Sequence, residues 1–202
     1  MIVVAGDHTI ELPQRNNIRY LVVENLNHDF GGYWAAIQAL GESVLSYEVV
    51  YFINSSVRGP FLPSYVAQDW KSIFRAKLTG DVGLVGSTIN ILAPESPFSP
   101  FYRAKYGGPE PFSHVQTVAY AMPGRTLAYL REAGFYAIRE RLEKHEVTVE
   151  YELRLSQLVV KKGWNIAALL PEYSAIDYRQ PHVDINPVAR RYSSGDPCVS
   201  AC

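Results

Sequence analysis

Four short stretches carry side chains suited to chemistry. In "YFINSSVRGPFLP" an apolar run delivers Asn54, Ser55 and Ser56 to its end, with Arg58 close behind. Neutral oxygens and amide donors beside a guanidinium suit an anionic ligand group, and the same triplet also suits a turn closed by its own hydrogen bonds. In "EYELRLSQLVVKKGWNIAAL" Glu150 and Glu152 open a helical stretch. A carboxylate there can face a cleft and act as general base toward a hydroxyl, while acidic residues are also favoured at a helix start by the macrodipole. Glu152 and Ser156, four apart, share one helix face. In "ENLNHDFGGYWAAI" the residues Asn25, His28 and Asp29 lie in a strand-to-helix connection. Gly31-Gly32 permits close approach of backbone or ligand near that helix start. His114 and Gln116 stand at the start of a strand beside a proline-rich segment and can donate to a sugar hydroxyl.

Other chemistries have no footing in the sequence. There is no GxGxxG in this connection, no GK[ST], no GxSxG elbow and no HExxH. The five histidines, His8, His28, His114, His145 and His182, are scattered. Cys198 and Cys202 sit in a Ser/Gly/Pro-rich end, where a lone pair makes neither a zinc site nor a disulfide framework. A formal net charge of -1 gives no electrostatic reason to expect nucleic acid or an anionic membrane. No apolar run reaches the length of about eighteen residues needed to span a bilayer, and the first residues lack a basic n-region and long h-region, so a cytoplasmic protein is expected.

These candidates need a scaffold, and 202 residues with 48% hydrophobic and 12% aromatic content can bury one core. Short β-branched runs predict strands at 2–5, 19–24, 49–53, 82–85, 115–121 and 164–170. Helical spacing predicts helices at 30–40 behind Asp29 as cap, at 66–78, from 123 through 130, at 138–145 and at 150–162. Strand, helix and strand in this order argue a parallel βαβ unit, whose strand ends are where ligands bind. Residues 94–111, with five prolines, read as an irregular loop or lid. Residues 171–202 read as an extended wrap with a frayed tail.

Taken in order, the segments resemble the GT-A glycosyltransferases, and more closely the rhamnan-synthesis type and the related chlorella-virus glycosyltransferase domain. The family's "EN.GRDFGGY..AL", "FLNSSVRGPFLP", "LVG", "HVQ" and "YE..LSQ....GYNI" correspond to "ENLNHDFGGYWAAIQAL", "YFINSSVRGPFLP", "LVGSTIN", "HVQTVAYAMPGRTLAYL" and "YELRLSQLVVKKGWNI" over residues 20–190. Asn27 and His28 stand where Gly and Arg are usual.

The resemblance implies a single α/β domain over residues 1–190, with a mostly parallel, Rossmann-like central sheet flanked by helices, and a tail at 191–202. It implies a hexosyltransferase that moves a sugar from a nucleotide-diphosphate donor, a UDP-sugar favoured, to a hydroxyl of a glycan acceptor with inversion, in polysaccharide or glycan biosynthesis. By the same analogy Gly6, Asp7, Asn25, Asp29, Asn54, Ser55, Ser56 and Arg58 bind the donor, and His114 and Gln116 border the acceptor. Glu152 is the implied base, with Glu150 behind it, and the 94–111 loop helps exclude water. Asn54-Ser55-Ser56 occupies the place of the Asp-x-Asp that holds Mn2+ or Mg2+. Two modes stay open there: a neutral or Arg58-assisted diphosphate site, and a metal held by diphosphate and water. A catalytically silent nucleotide- or sugar-binding domain is the alternative to an enzyme.

Overall fold

A computed structural model describes residues 1–92, 95–138 and 140–183. The first elements are β1 (Ile2–Ala5), β2 (Tyr20–Val23), helix α1 (Asp29–Leu40) and β3 (Val49–Ile53). Then come α2 (Trp70–Arg75), β4 (Val82–Gly86), β5 (Ile89–Asn90), α3 (Phe98–Tyr106), β6 (His114–Val115), β7 (Ala119–Pro123) and α4 (Gly124–Glu132). The chain continues through α5 (Lys144–Val147), a π-helical turn over Thr148–Leu153, α6 (Arg154–Lys161) and β8 (Asn165–Ala168).

The result is a mixed α/β domain, and its sheet differs from the mostly parallel one expected. The four-stranded sheet has the order β3-β7-β4-β8, with β7 antiparallel to both β3 and β4 and only β4 and β8 parallel. The stretch expected as one strand over 115–121 is interrupted at 116–118. β6 pairs antiparallel with β5, and β7 turns into the main sheet. Close packing at this break depends on Gly86, where a Cβ would come within 2.1 Å of Val115 Cγ1. The expected parallel βαβ unit is also open: β1 and β2 pair in parallel with each other, and β3 pairs with β7.

Local chemistry explains the other departures. The helix expected at 66–78 is trimmed to α2, because the Asp69 carboxylate accepts the Lys71 and Ser72 N–H groups at 2.8 and 3.2 Å and fixes the start there. Residues 94–111 are not wholly irregular, since α3 runs through them. Pro100 falls in its first turn, where a missing N–H costs nothing, and Tyr102 is buried against Phe112. The helix expected at 138–145 begins only at Lys144, where Glu143 and Glu146 form a capping box. Asp29 is the first residue of α1 rather than its cap; His28 precedes it and makes no side-chain cap bond.

The core behind the site is aromatic. Phe52 stacks on Tyr120 at 4.8 Å between centroids, and Phe30 stacks on Tyr151 at 5.0 Å, which ties the start of α1 to the π-helical turn. Part of the expected wrap is described: Asn165 accepts the Tyr178 N–H at 3.0 Å, and Arg179 bridges Asp81 and Asp177. The tail at 191–202, with Cys198 and Cys202, lies outside the described residues.

Candidate functional site

Asp29 sits where two cavities meet, and its position follows from the connection before it. Asn27 is buried, and its side chain donates to the Glu140 carbonyl at 2.7 Å and accepts the Leu142 N–H at 2.8 Å. Asn27 and His28 both have positive φ, 52° and 55°. Asn is among the few side chains that accept this region, and Gly accepts it freely. Gly31 then lets the Leu26 carbonyl approach so closely that a Cβ would lie 1.8 Å from it. Gly31 therefore serves backbone packing, while Gly32, which meets only the Val3 side chain, lines a cavity.

The Asn54 turn is held by its own side chain. Asn54 accepts the Ser56 N–H at 2.9 Å, donates to Asp29 Oδ2 at 2.9 Å, and its backbone N–H continues the β3–β7 pairing to the Val118 carbonyl. Asn54 thus joins a local turn to the carboxylate at the start of α1.

A cavity of about 510 Å3 collects Asp29, Asn54, His114, Gln116 and Glu152, with His28, Asn90 and Lys144. Six of the residues singled out in the sequence, His28 among them, converge here from four distant segments. An adjoining cavity of about 1070 Å3 shares His28, Asp29 and Asn54 and carries Asn25, Ser55 and Ser56 at the same end. The other candidates lie elsewhere. The Gly6 N–H donates to the Val23 carbonyl at 2.8 Å, Asp7 and Arg58 are exposed, and none of the three lines either cavity. Glu150 is committed to Lys105 at 2.6 Å and to the Tyr106 hydroxyl, so it fastens α3 and lines neither cavity.

Glu152 is half-buried on the π-helical turn and, among the described residues, receives no hydrogen bond. Burial raises its pKa above the usual carboxylate range, the nearby Asp29 charge raises it further, and Lys144 opposes both. Two adjacent carboxyl groups in one cavity thus differ: Asp29 is hydrogen-bonded by Asn54, and Glu152 is free to take a proton.

His114 is 4% exposed and burial lowers its pKa to about 4, so the ring is neutral at pH 7. Its Nδ1 donates to the Phe112 carbonyl at 3.3 Å, which leaves Nε2 as the acceptor. The strand that carries it is clamped from α6. Ser156 Oγ accepts the Val115 N–H at 2.9 Å, and Gln157 Nε2 donates to the Ser113 carbonyl at 2.7 Å. Three lining or positioning roles were not apparent in the sequence. Lys144 fell in the helix expected at 138–145, Asn27 stood where the resembled pattern has Gly, and Gln157 fell in the helix expected at 150–162. Only the "LSQ" segment carried a signal, a serine and glutamine interrupting an apolar helix.

A metal was a possibility at this turn. Its oxygen donors are one carboxylate, Asp29, already engaged by Asn54, and neutral side chains; among the described residues no three His, Cys, Asp or Glu side chains are placed so that they could hold one metal ion. These residues do not make a divalent-metal ligand set by themselves, and no step below depends on one. Among the described residues no helix is long and apolar enough to cross a membrane. In comparison with known proteins, the chain matches no family model, no curated protein and no solved structure.

Proposed function

We propose that the chain is an inverting glycosyltransferase that moves a sugar from a nucleotide-diphosphate donor, a UDP-sugar favoured, to a hydroxyl of a glycan acceptor. The observation that supports this reading is the convergence of Asp29, Asn54, His114, Gln116 and Glu152 on one cavity that opens beside Asn25, Ser55 and Ser56. Glu152 takes the proton from the acceptor hydroxyl as its oxygen attacks the anomeric carbon, and the bond to the nucleotide diphosphate breaks with its electron pair. A raised pKa makes Glu152 a stronger base for that step than an exposed carboxylate. The neutral His114 and Gln116 orient hydroxyl groups. Lys144, which faces the cavity, takes over the role expected of Arg58 and offsets charge on the departing diphosphate.

Screening melting temperature against UDP, GDP, dTDP and nucleotide sugars, each with Mn2+, Mg2+ or EDTA, tests the donor site. Ligand at a hundred times Kd adds about 2.7 kcal/mol. Glu152→Gln then tests the chemistry: transfer should fall by about 10²- to 10⁴-fold while donor stabilisation persists. Stabilisation by a nucleotide with no transfer in the parent chain would favour a silent binding domain, the reading motivated by the missing acidic pair at Asn54-Ser55-Ser56. No stabilisation by any of them would end the donor reading.

A further inference from the structure

His182, one of the five scattered histidines, lines neither cavity, yet it reaches the turn that carries His114. The segment that delivers it is fastened on the way. Asn165 Nδ2 donates to the Ile176 carbonyl at 3.3 Å, and its Oδ1 accepts the Tyr178 N–H at 3.0 Å. Arg179 bridges Asp81 and Asp177 and donates to the Gly163 carbonyl at 3.2 Å. The Tyr178 ring, itself buried, meets the His182 ring edge-on at 5.0 Å between centroids. His182 Nδ1 lies 2.8 Å from the Gln180 carbonyl; a carbonyl can only accept, so Nδ1 donates and Nε2 of the neutral ring is an acceptor. Ser113 Oγ, 2.6 Å from that Nε2, is its donor.

Ser113 is 1% exposed and every polar group it has is engaged. Its N–H donates to the Pro111 carbonyl at 3.0 Å, its carbonyl accepts Gln157 Nε2 at 2.7 Å, and its hydroxyl donates to His182. The His114 ring folds back across this residue, with Nδ1 donating to the Phe112 carbonyl at 3.3 Å. That bond is long, so the ring's direction depends on the backbone torsions at Ser113, which lies between its two partners. A single bond at the Ser113 carbonyl lets the residue turn about it, and a second one at Oγ, from a different segment, removes that freedom. His114 Nε2 has no partner among the described residues, and His114 lines the 510 Å3 cavity.

We propose that His182 is a positioning residue: through Ser113 it fixes the 112–114 turn and holds the His114 ring with Nδ1 bound to the chain and Nε2 presented to the cavity. A segment that forms no part of the cavity wall thus completes the side occupied by His114 and Gln116. The use of His114 Nε2 to accept from an acceptor hydroxyl rests on the transfer reading, whereas the positioning itself does not.

Heteronuclear NMR of the His114 ring nitrogens, recorded on the full chain at pH 7 without ligand, tests it. In the parent the ring should show the Nδ1–H form alone. In His182→Ala the other tautomer should rise to about a third or more of the population, because the partner of Nδ1 is no longer held in place. His182→Gln, whose side-chain oxygen can accept from Ser113 Oγ, should restore the parent spectrum. Ser113→Ala removes the buried donor together with its need for a partner, so it keeps the test open if His182→Ala fails to fold. It should match His182→Ala, and the double variant should change nothing further, since both act through one contact. A ring that stays in the Nδ1–H form in both His182→Ala and Ser113→Ala would overturn the proposal. So would a double variant whose shift is the sum of the two single ones, or a His182→Gln spectrum no closer to the parent than that of His182→Ala. The transfer reading is decided separately, by whether saturating UDP raises the melting temperature of the parent chain. Its failure leaves the ligand-free spectra unchanged, so the two failures are distinguishable.

Discussion

Replacing Asn27 separates two contributions that meet at the entrance to α1. The side chain fills two hydrogen bonds, to the Glu140 carbonyl and from the Leu142 N–H, and the backbone holds φ at 52°. The Glu140 carbonyl belongs to an exposed residue that water can reach; Leu142 is half-buried and its N–H would be left without a partner. Asn27→Gly removes the hydrogen bonds and tolerates the backbone, so its cost is that of one buried unsatisfied donor, about 1–3 kcal/mol. Asn27→Ala loses the same bonds and adds the left-handed cost of a Cβ, about 1–2 kcal/mol, for a total of about 2–5 kcal/mol. Urea denaturation followed by far-UV circular dichroism reads both, provided the slope is unchanged. The alanine variant should be the less stable by about 1–2 kcal/mol. Equal stabilities would refute the backbone account, and two variants within about 0.5 kcal/mol of the parent would refute the hydrogen-bond account.

Glu152→Gln should raise the melting temperature at pH 7. A carboxyl whose pKa is raised in the folded state stabilises the fold below its ordinary pKa and loses that contribution as pH rises through the folded value, so the gain should vanish when both scans are run near pH 4. His114 has the opposite sense. With its pKa lowered from 6.5 to about 4, stability should fall as pH drops through that window, by about 3 kcal/mol in all, and a His114→Gln variant should show a shallower decline in a pH series of urea melts. Ser156→Ala leaves the buried Val115 N–H without its acceptor and should cost about 1–3 kcal/mol, read as a lower melting temperature, and should raise the KM for acceptor more than for donor.

The strands were legible wherever β-branched runs were short and bounded, as at Ile2–Ala5 and Val49–Ile53, which the structure reproduces. Their directions were not, because the turn at 116–118 that sends β7 antiparallel to its neighbours is decided by close packing at Gly86, between residues far apart in sequence. Helix α3 was hidden because prolines at its first turn look the same in sequence as prolines that forbid a helix. Within the site, Asn54 and Asp29 could be picked out because each stands at an element's end, while Glu152, expected near a helix start, lies inside a helical run that begins at Lys144 and was singled out over Glu150 through the resemblance. Arg58 and Glu150 could not be rejected: sequence proximity says little about which side of a turn a residue occupies, and residues two apart on a helix do not share a face. Lys144 shows the reverse, a cavity residue within a run of charges.

The adjacency of Glu150 and Glu152 has a mechanical side. One turn of chain carries both carboxylates, and Glu150 is gripped by Lys105 and Tyr106 near the end of α3 while Phe98, at the other end of that helix, forms part of the cavity wall beside Glu152. Glu150 thus fastens one end of the helix whose other end walls the cavity beside Glu152, and part of that fastening is an ion pair outside the cavity, which salt in the surrounding solution can weaken.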